Sequence, residues 1–263
     1  MATPPLYGLH VVVTRPCHQA GNFVDLLQKA GAIAHTFPLL QIEPVKQAPT
    51  TLKELSRGTY DLVIFISANA VIHALACLPP YTHWQNTRIA AIGKQTAQTL
   101  QNHHLPVALF PAQGFRSEDL LALPDMHNLQ AKNILIVRGQ GGREFLADSL
   151  RERGANVEYA NVYQRCQAQQ NSHFLIHLHQ QGWLGIICIT SSESLTQLLR
   201  LVTHDAVDTG WIQNIPLLVG SERTAQDASA AGFKQIISAA NPSDEAMLQA
   251  LLYWQNHHNK QDA

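Results

Sequence analysis

The sequence predicts an α/β protein built from two flavodoxin-like (Rossmann-like) domains, each a five-stranded parallel sheet with helices on both faces. Three observations carry this reading. Apolar runs alternate with amphipathic segments along the whole chain, as repeated β-α units require. The runs are continuous in Val, Ile and Leu with little polar alternation, which is what burial on both faces of a parallel sheet demands. The pattern also occurs twice: the strand-to-helix corner GKQTAQTL at Gly93 returns as SERTAQDA at Ser221.

Taken in order, HVVVT (10–14) leads into a helical segment over 19–30, and the long stretch AIAHTFPLLQIEP (32–44) precedes 50–57. DLVIFIS (61–67), RIAAI (88–92) and VALF (107–110) follow, each paired with an amphipathic stretch at 69–77, 94–103 and 117–123. The order then restarts with NILIVR (133–138) and 142–153, ANVEYANVYQRC (155–166) and 172–181, and LGIICITS (184–191) and 192–201. PLLV (216–219) with 222–231 and KQIIS (234–238) with 243–254 complete ten units. DLVIFIS matches LGIICITS, and HVVVTRP matches ILIVRGQ, so the halves agree in detail as well as in order. Periodicity alone divides the chain near residue 129. Two extended segments, TFPLLQIEPV and NVEYANVYQR, are too polar or too rich in proline for buried strands and suit a ribbon between domains.

With 263 residues, 46% hydrophobic and 14% charged, the chain has material for one large core or two smaller ones and too little charge for a disordered protein. Eighteen Lys and Arg against nineteen Asp and Glu leave a formal charge of −1, so neither nucleic acid nor an anionic membrane is an expected partner. The longest apolar stretch, Leu62 to Leu78, contains Ser67, Asn69 and His73 and falls short of the roughly 20 clean residues of a membrane span. Cys17, Cys77, Cys166 and Cys188 form no C-x-x-C pair, which fits a reduced compartment, and no signal sequence is recognised at the N-terminus; a cytoplasmic location is expected.

In a doubly wound sheet, ligands lie beyond the carboxyl ends of the strands, where helix N-termini point free N–H groups outward. The candidate binding residues are therefore Thr14 and Arg15, Ser67, Ala68 and Asn69, Gly93 and Thr96, Arg138 and Gly139, Thr190, Ser191 and Ser192, and Ser221, Arg223 and Thr224. Each has a bland reading beside it. Ser67, Ser191 and Ser221 are good N-caps, worth about 1 kcal/mol each without any function. Thr14-Arg15-Pro16 also reads as a turn with a solvated arginine, and RGQGGR (138–143) as a plain loop into a helix. The ensemble of hydroxyls, glycines and arginines at strand ends facing a common cleft favours a polyanionic ligand.

Other chemistries lack their motifs. RGQGG offers G-x-G-G and not the full dinucleotide fingerprint, and the chain has no P-loop, no G-x-S-x-G elbow and no H-E-x-x-H. Fourteen histidines, including His177 with His179, His103-His104 and His257-His258, lack partner Cys, Asp or Glu at ligand spacing and read as helix-end residues, so no metal is expected. Tyr163, in the ribbon segment NVYQR, reads equally as a hydrophobic staple or as a phenol able to donate a proton to a leaving group.

The segments VVVTRP, FISANAV, AIGKQTAQTL, ILIVRGQGGREFLADSLRERGANV, VYQR, ITSSES, SERTAQDASAAG and NPSDEAMLQAL together resemble the uroporphyrinogen-III synthase family over nearly the whole chain. The resemblance implies an interleaved layout: residues 1–37 with 168–263 as one domain, 46–157 as the other, and 38–45 with 158–167 as a two-stranded β-ladder. It implies an enzyme that needs no cofactor or metal and whose substrate, hydroxymethylbilane, comes from hydroxymethylbilane synthase; a monomer is the default expectation. That linear tetrapyrrole loses water from its terminal hydroxymethyl group and closes with inversion of ring D through a spiro intermediate. Tyr163 would assist departure of the hydroxyl, and the corners would hold the acetate and propionate arms. The competing class is a two-lobed anion sensor without chemistry.

Overall fold

The computed structural model describes residues 3–47, 49–55, 59–78, 87–114, 116–205 and 210–258, without the side chains of Lys53, Asp205 and His258. The chain separates into two compact units, Met1–Gln41 with Cys166–Ala263, and Ile42–Arg165. In chain order the elements are β1 (His10–Val13), α1 (Cys17–Lys29), β2 (Ile33–Thr36), β3 (Leu40–Pro44), α2 (Thr50–Leu55), β4 (Leu62–Phe65) and α3 (Ala68–Cys77). Next come β5 (Arg88–Ala91), α4 (Lys94–Asn102), α5 (Ser117–Leu121), β6 (Asn133–Gly139), α6 (Phe145–Glu152) and β7 (Asn156–Gln167). The last are α7 (His173–Gln180), β8 (Ile186–Ile189), α8 (Ser192–Asp205), β9 (Leu217–Val219), α9 (Glu222–Ala230), β10 (Ile236–Ser238) and α10 (Asp244–His258).

The sheet of the first unit has the order β2-β1-β8-β9-β10, all parallel, which is the doubly wound 2-1-3-4-5 arrangement. Because β1 pairs with β8, the N-terminal β-α unit joins the C-terminal strands, and a division near residue 129 does not describe this chain. Its central strands β1, β8 and β9 are buried on both faces: Val12, Ile187, Ile189, Leu217 and Val219 point into one apolar layer, and Val11, Val13, Ile186 and Leu218 into the other.

The second sheet runs β3-β7-β6-β4-β5, with β7, β6, β4 and β5 mutually parallel. Beside β5, Leu109 forms an isolated parallel bridge to Ala90. Read from β7 toward Leu109, this is the same 2-1-3-4-5 order with the chain started at a different strand. Strand β6 takes the place of β1, β4 that of β8 and β5 that of β9. The three sequence matches therefore fall at equivalent strand ends, which is why one chain builds the same corners twice.

Three expectations shift for identifiable reasons. The single extended element at 32–44 is two strands, because Pro38 has no N–H to continue a ladder; Phe37 and Leu39 turn inward beside it. VALF is no regular strand, because Pro106 and Pro111 flank it and only single backbone bonds such as Ala108 N–H to Ile89 O (2.8 Å) remain. The helix expected from 142 starts at Phe145, because Gly141 and Gly142 hold φ of +76° and +111°.

Candidate active site

Tyr163 stands on β7 as the partner of Gly139 on β6. The register slips here, with Arg138 opposite Asn161 but Gly139 opposite Tyr163. That extra residue on β7 turns two consecutive side chains, Val162 and Tyr163, into the same apolar layer. The Tyr163 ring, 2% exposed, covers the bare face of Gly139; a Cβ there would stand 2.5 Å from Cε2 and Cζ of the ring. The ring centroid of His73 lies 5.7 Å away, and the phenol oxygen sits 3.2 Å from Ser67 Oγ.

Ser67 follows β4 and caps α3, its Oγ accepting from Ala70 N–H at 3.1 Å. It is the half-buried outer member of the Tyr163–Ser67 pair, with Ala68 and Asn69 opening the helix behind it. The equivalent corner of the first unit has Ser191 accepting from Ser194 N–H at 3.1 Å and touching the Ser194 hydroxyl at 2.9 Å, after Thr190; the hydroxyl of Ser192 donates to Asp227. At the next corner Ser221 accepts from Thr224 N–H at 3.2 Å, and the two hydroxyls meet at 2.9 Å; Arg223 is exposed on the first turn of α9. Its counterpart, Gly93, caps α4 without a side-chain bond, with Thr96 buried at the same helix position as Thr224. Serine therefore closes one amino end internally where glycine leaves the other uncapped by any side chain.

Two corner residues expected as ligand contacts are committed elsewhere. Thr14 is buried and donates its hydroxyl hydrogen to Cys188 O at 2.6 Å, because β1 and β8 are adjacent. Arg15 is ion-paired with Asp244, donates to Pro242 O at 2.8 Å and covers the Phe23 ring at 5.0 Å, since α10 starts beside the end of β1. A Thr14→Val protein, isosteric but unable to donate, is expected to lose about 1 kcal/mol of stability in denaturant titration.

Arg138, at the end of β6, brings in groups that sequence reasoning missed. Its Nη2 donates to Glu144 Oε1 at 3.0 Å, its guanidinium lies 4.3 Å from the Tyr159 ring centre, and Tyr159 donates to the other Glu144 oxygen at 2.5 Å. The Tyr159 bond and then Arg138 hold the Glu144 carboxyl below its ordinary pKa, while burial and that same bond push the Tyr159 phenol up to about 12. Arg138 and Tyr159 border a recess of about 320 Å³ with Ile66, Ile92, Ile136 and Leu146 on its walls and Arg116, Arg143 and Arg165 around it. Tyr159 and Arg165 gave no signal beyond an unusually polar strand, and Glu144 none beyond following the glycine pair. A larger groove of about 700 Å³ between β10 and α10, lined by Tyr253 and Trp254, contains no corner residue.

Among the described residues no group of His, Cys, Asp and Glu is arranged to hold a metal, and no helix is long and apolar enough to cross a membrane. The described histidines include an aromatic cluster that periodicity did not reveal, His10 against His35 at 3.0 Å with Trp183 stacked on His10. Burial pushes the Cys188 thiol up to about 12, so it stays protonated and inert.

The comparisons with known proteins agree with one another. The family model described as uroporphyrinogen-III synthase HemD matches residues 21–249. The uroporphyrinogen-III synthase of Escherichia coli (strain K12) is 34% identical over 250 residues, 92% of this chain and 100% of that protein. The Salmonella typhimurium (strain LT2) protein of the same description is also 34% identical, over 92% of this chain and 100% of its own length. Two solved structures share the fold: uroporphyrinogen-III synthetase from Helicobacter pylori 26695, 22% identical with TM-score 0.58 over 94% of this chain and 99% of that one, and a mutant uroporphyrinogen III synthase from the extremely thermophilic bacterium Thermus thermophilus, 17% identical with TM-score 0.57 over 92% and 97%.

Proposed function

The chain belongs to the uroporphyrinogen-III synthase family, and from that premise we propose that it closes hydroxymethylbilane to uroporphyrinogen III by a dehydrating, hydro-lyase reaction. The observation that carries the mechanistic part is the contact of Tyr163 Oη with Ser67 Oγ, 3.2 Å apart at the amino end of α3. Water leaves the terminal hydroxymethyl carbon with the phenol hydroxyl of Tyr163 as hydrogen-bond donor and Ser67 as the outer member of the pair. The carbon then bonds to the substituted position of ring D to give the spiro intermediate; the older bond from that position to its bridging carbon breaks, the freed bridging carbon bonds to the unsubstituted α-position of the same ring, and the proton of that position leaves, so the macrocycle closes with ring D inverted.

Because the bilane also closes unaided to the uninverted isomer, the protein's task is to hold a flexible polyanion in one shape. Ser67, Thr96 and Thr224 and the amides that follow them act as carboxylate donors; helix N-termini with hydroxyls suit that charge. The equivalent strand-end corners within each unit support this assignment. Strands β3 and β7 form the two-stranded connection in this reading, which the unit boundaries inside both strands support. The substrate arrives from hydroxymethylbilane synthase, and the enzyme works as a monomer without cofactor. Incubation with freshly prepared hydroxymethylbilane, followed by chromatography of the oxidised products, tests the proposal: isomer III is expected, and isomer I alone would leave only a binding protein.

A further inference from the structure

We propose that the arginine-bordered recess of the second unit is a subsite for one pyrrole ring and its carboxylate arm, and that Glu144 holds the place of that carboxylate in the free protein. The inference rests on the reading of the substrate as a carboxylated bilane. At about 320 Å³ the recess lies at the lower end of ligand pockets, large enough for a fragment such as one ring and too small for a whole tetrapyrrole. Its aliphatic walls suit a flat ring, and four of its lining residues are arginines, three of them paired with carboxylates just outside the lining: Arg116 with Asp119, Arg138 with Glu144 and Arg143 with Glu118.

Arg138 makes this a built anion site. Its side chain is 9% exposed and clamped over the Tyr159 ring, yet its Nε has no hydrogen-bond partner. A buried guanidinium presents a rigid fork that a carboxylate satisfies through two nitrogens, and Glu144 takes only Nη2. An unmet buried donor is costly, and a carboxylate bound side-on across Nε and Nη2 would remove that cost. Glu144 already shows the chemistry of that occupant, a charged carboxylate between Arg138 and the Tyr159 hydroxyl. Its side chain is 52% exposed and stands two residues beyond a pair of glycines with positive φ, so it can swing into water when a better-placed carboxylate enters.

The test uses the full chain and a monopyrrole carrying one acetate and one propionate arm, with binding measured by calorimetry at low ionic strength. Arg138→Lys keeps the charge but loses the fork and is expected to bind about tenfold more weakly. Glu144→Gln removes the competing anion and is expected to bind about threefold or more tightly. Melting profiles confirm that both are folded; if Arg138→Lys is not, Glu144→Gln carries the test alone. Equal affinity in every folded variant, or weaker binding by Glu144→Gln, overturns the subsite. Product isomers from the unaltered protein are measured alongside. Isomer III with indifferent probe binding removes the subsite alone, whereas Arg138-dependent binding without isomer III keeps the subsite and removes the proposed reaction.

Discussion

Gly139→Ala is expected to lower the unfolding free energy by about 1–3 kcal/mol and to abolish formation of isomer III. The reason is local and steric. The new Cβ would lie 2.5 Å from two ring carbons of Tyr163 and 3.0 Å from its hydroxyl oxygen, so either the ring or strand β6 must move. The ring cannot simply swing aside, because it is packed in the layer of Val63, Val71 and Val137. Displacing it takes the phenol out of reach of Ser67, so stability and turnover fall together. Denaturant titration and the rate of bilane consumption above spontaneous closure measure the two losses; a stable, active Gly139→Ala protein would show that the close approach is not needed.

Tyr163→Phe separates what Gly139→Ala joins. The ring and its packing over Gly139 remain, and only the bond to Ser67 Oγ is lost, at a stability cost of about 1 kcal/mol. Turnover is expected to fall about a hundredfold if the phenol assists departure of water, in the lower range of general acid contributions. A fall in stability with unchanged turnover would make Tyr163 a packing residue.

Much of the layout was legible in the sequence because parallel strands buried on two faces leave unmistakable apolar runs, and helix caps leave Ser or Gly behind them. The duplication was visible at Ser67 and Ser191, Gly93 and Ser221, and Thr14 and Arg138, and these positions close equivalent strands of equally ordered sheets. What stayed hidden depends on neighbours remote in sequence. Thr14 gives no sign that it faces Cys188, 174 positions away, nor Arg15 that it faces Asp244, 229 away. The bulge that turns Tyr163 inward is a matter of register between β6 and β7, which periodicity does not encode. Glu144 and Tyr159 acquire meaning only through Arg138, whose guanidinium bonds the one and lies over the ring of the other.

The central claim is that the repeated hydroxyl-bearing corners hold the substrate's carboxylates so that the ring closes inverted. Thr96 and Thr224 occupy the same position on α4 and α9, and Thr224 already bonds the Ser221 hydroxyl, so replacing both by Val removes two hydroxyls at nearly constant shape. Its most direct test is the product isomer composition and rate in single-turnover reactions, with protein in excess over hydroxymethylbilane, for the unaltered and doubly substituted proteins. The account predicts isomer III from the former, and from the latter a rate lower by about tenfold or more with isomer I appearing from unaided closure. Equal rates and pure isomer III from a folded double variant would contradict it.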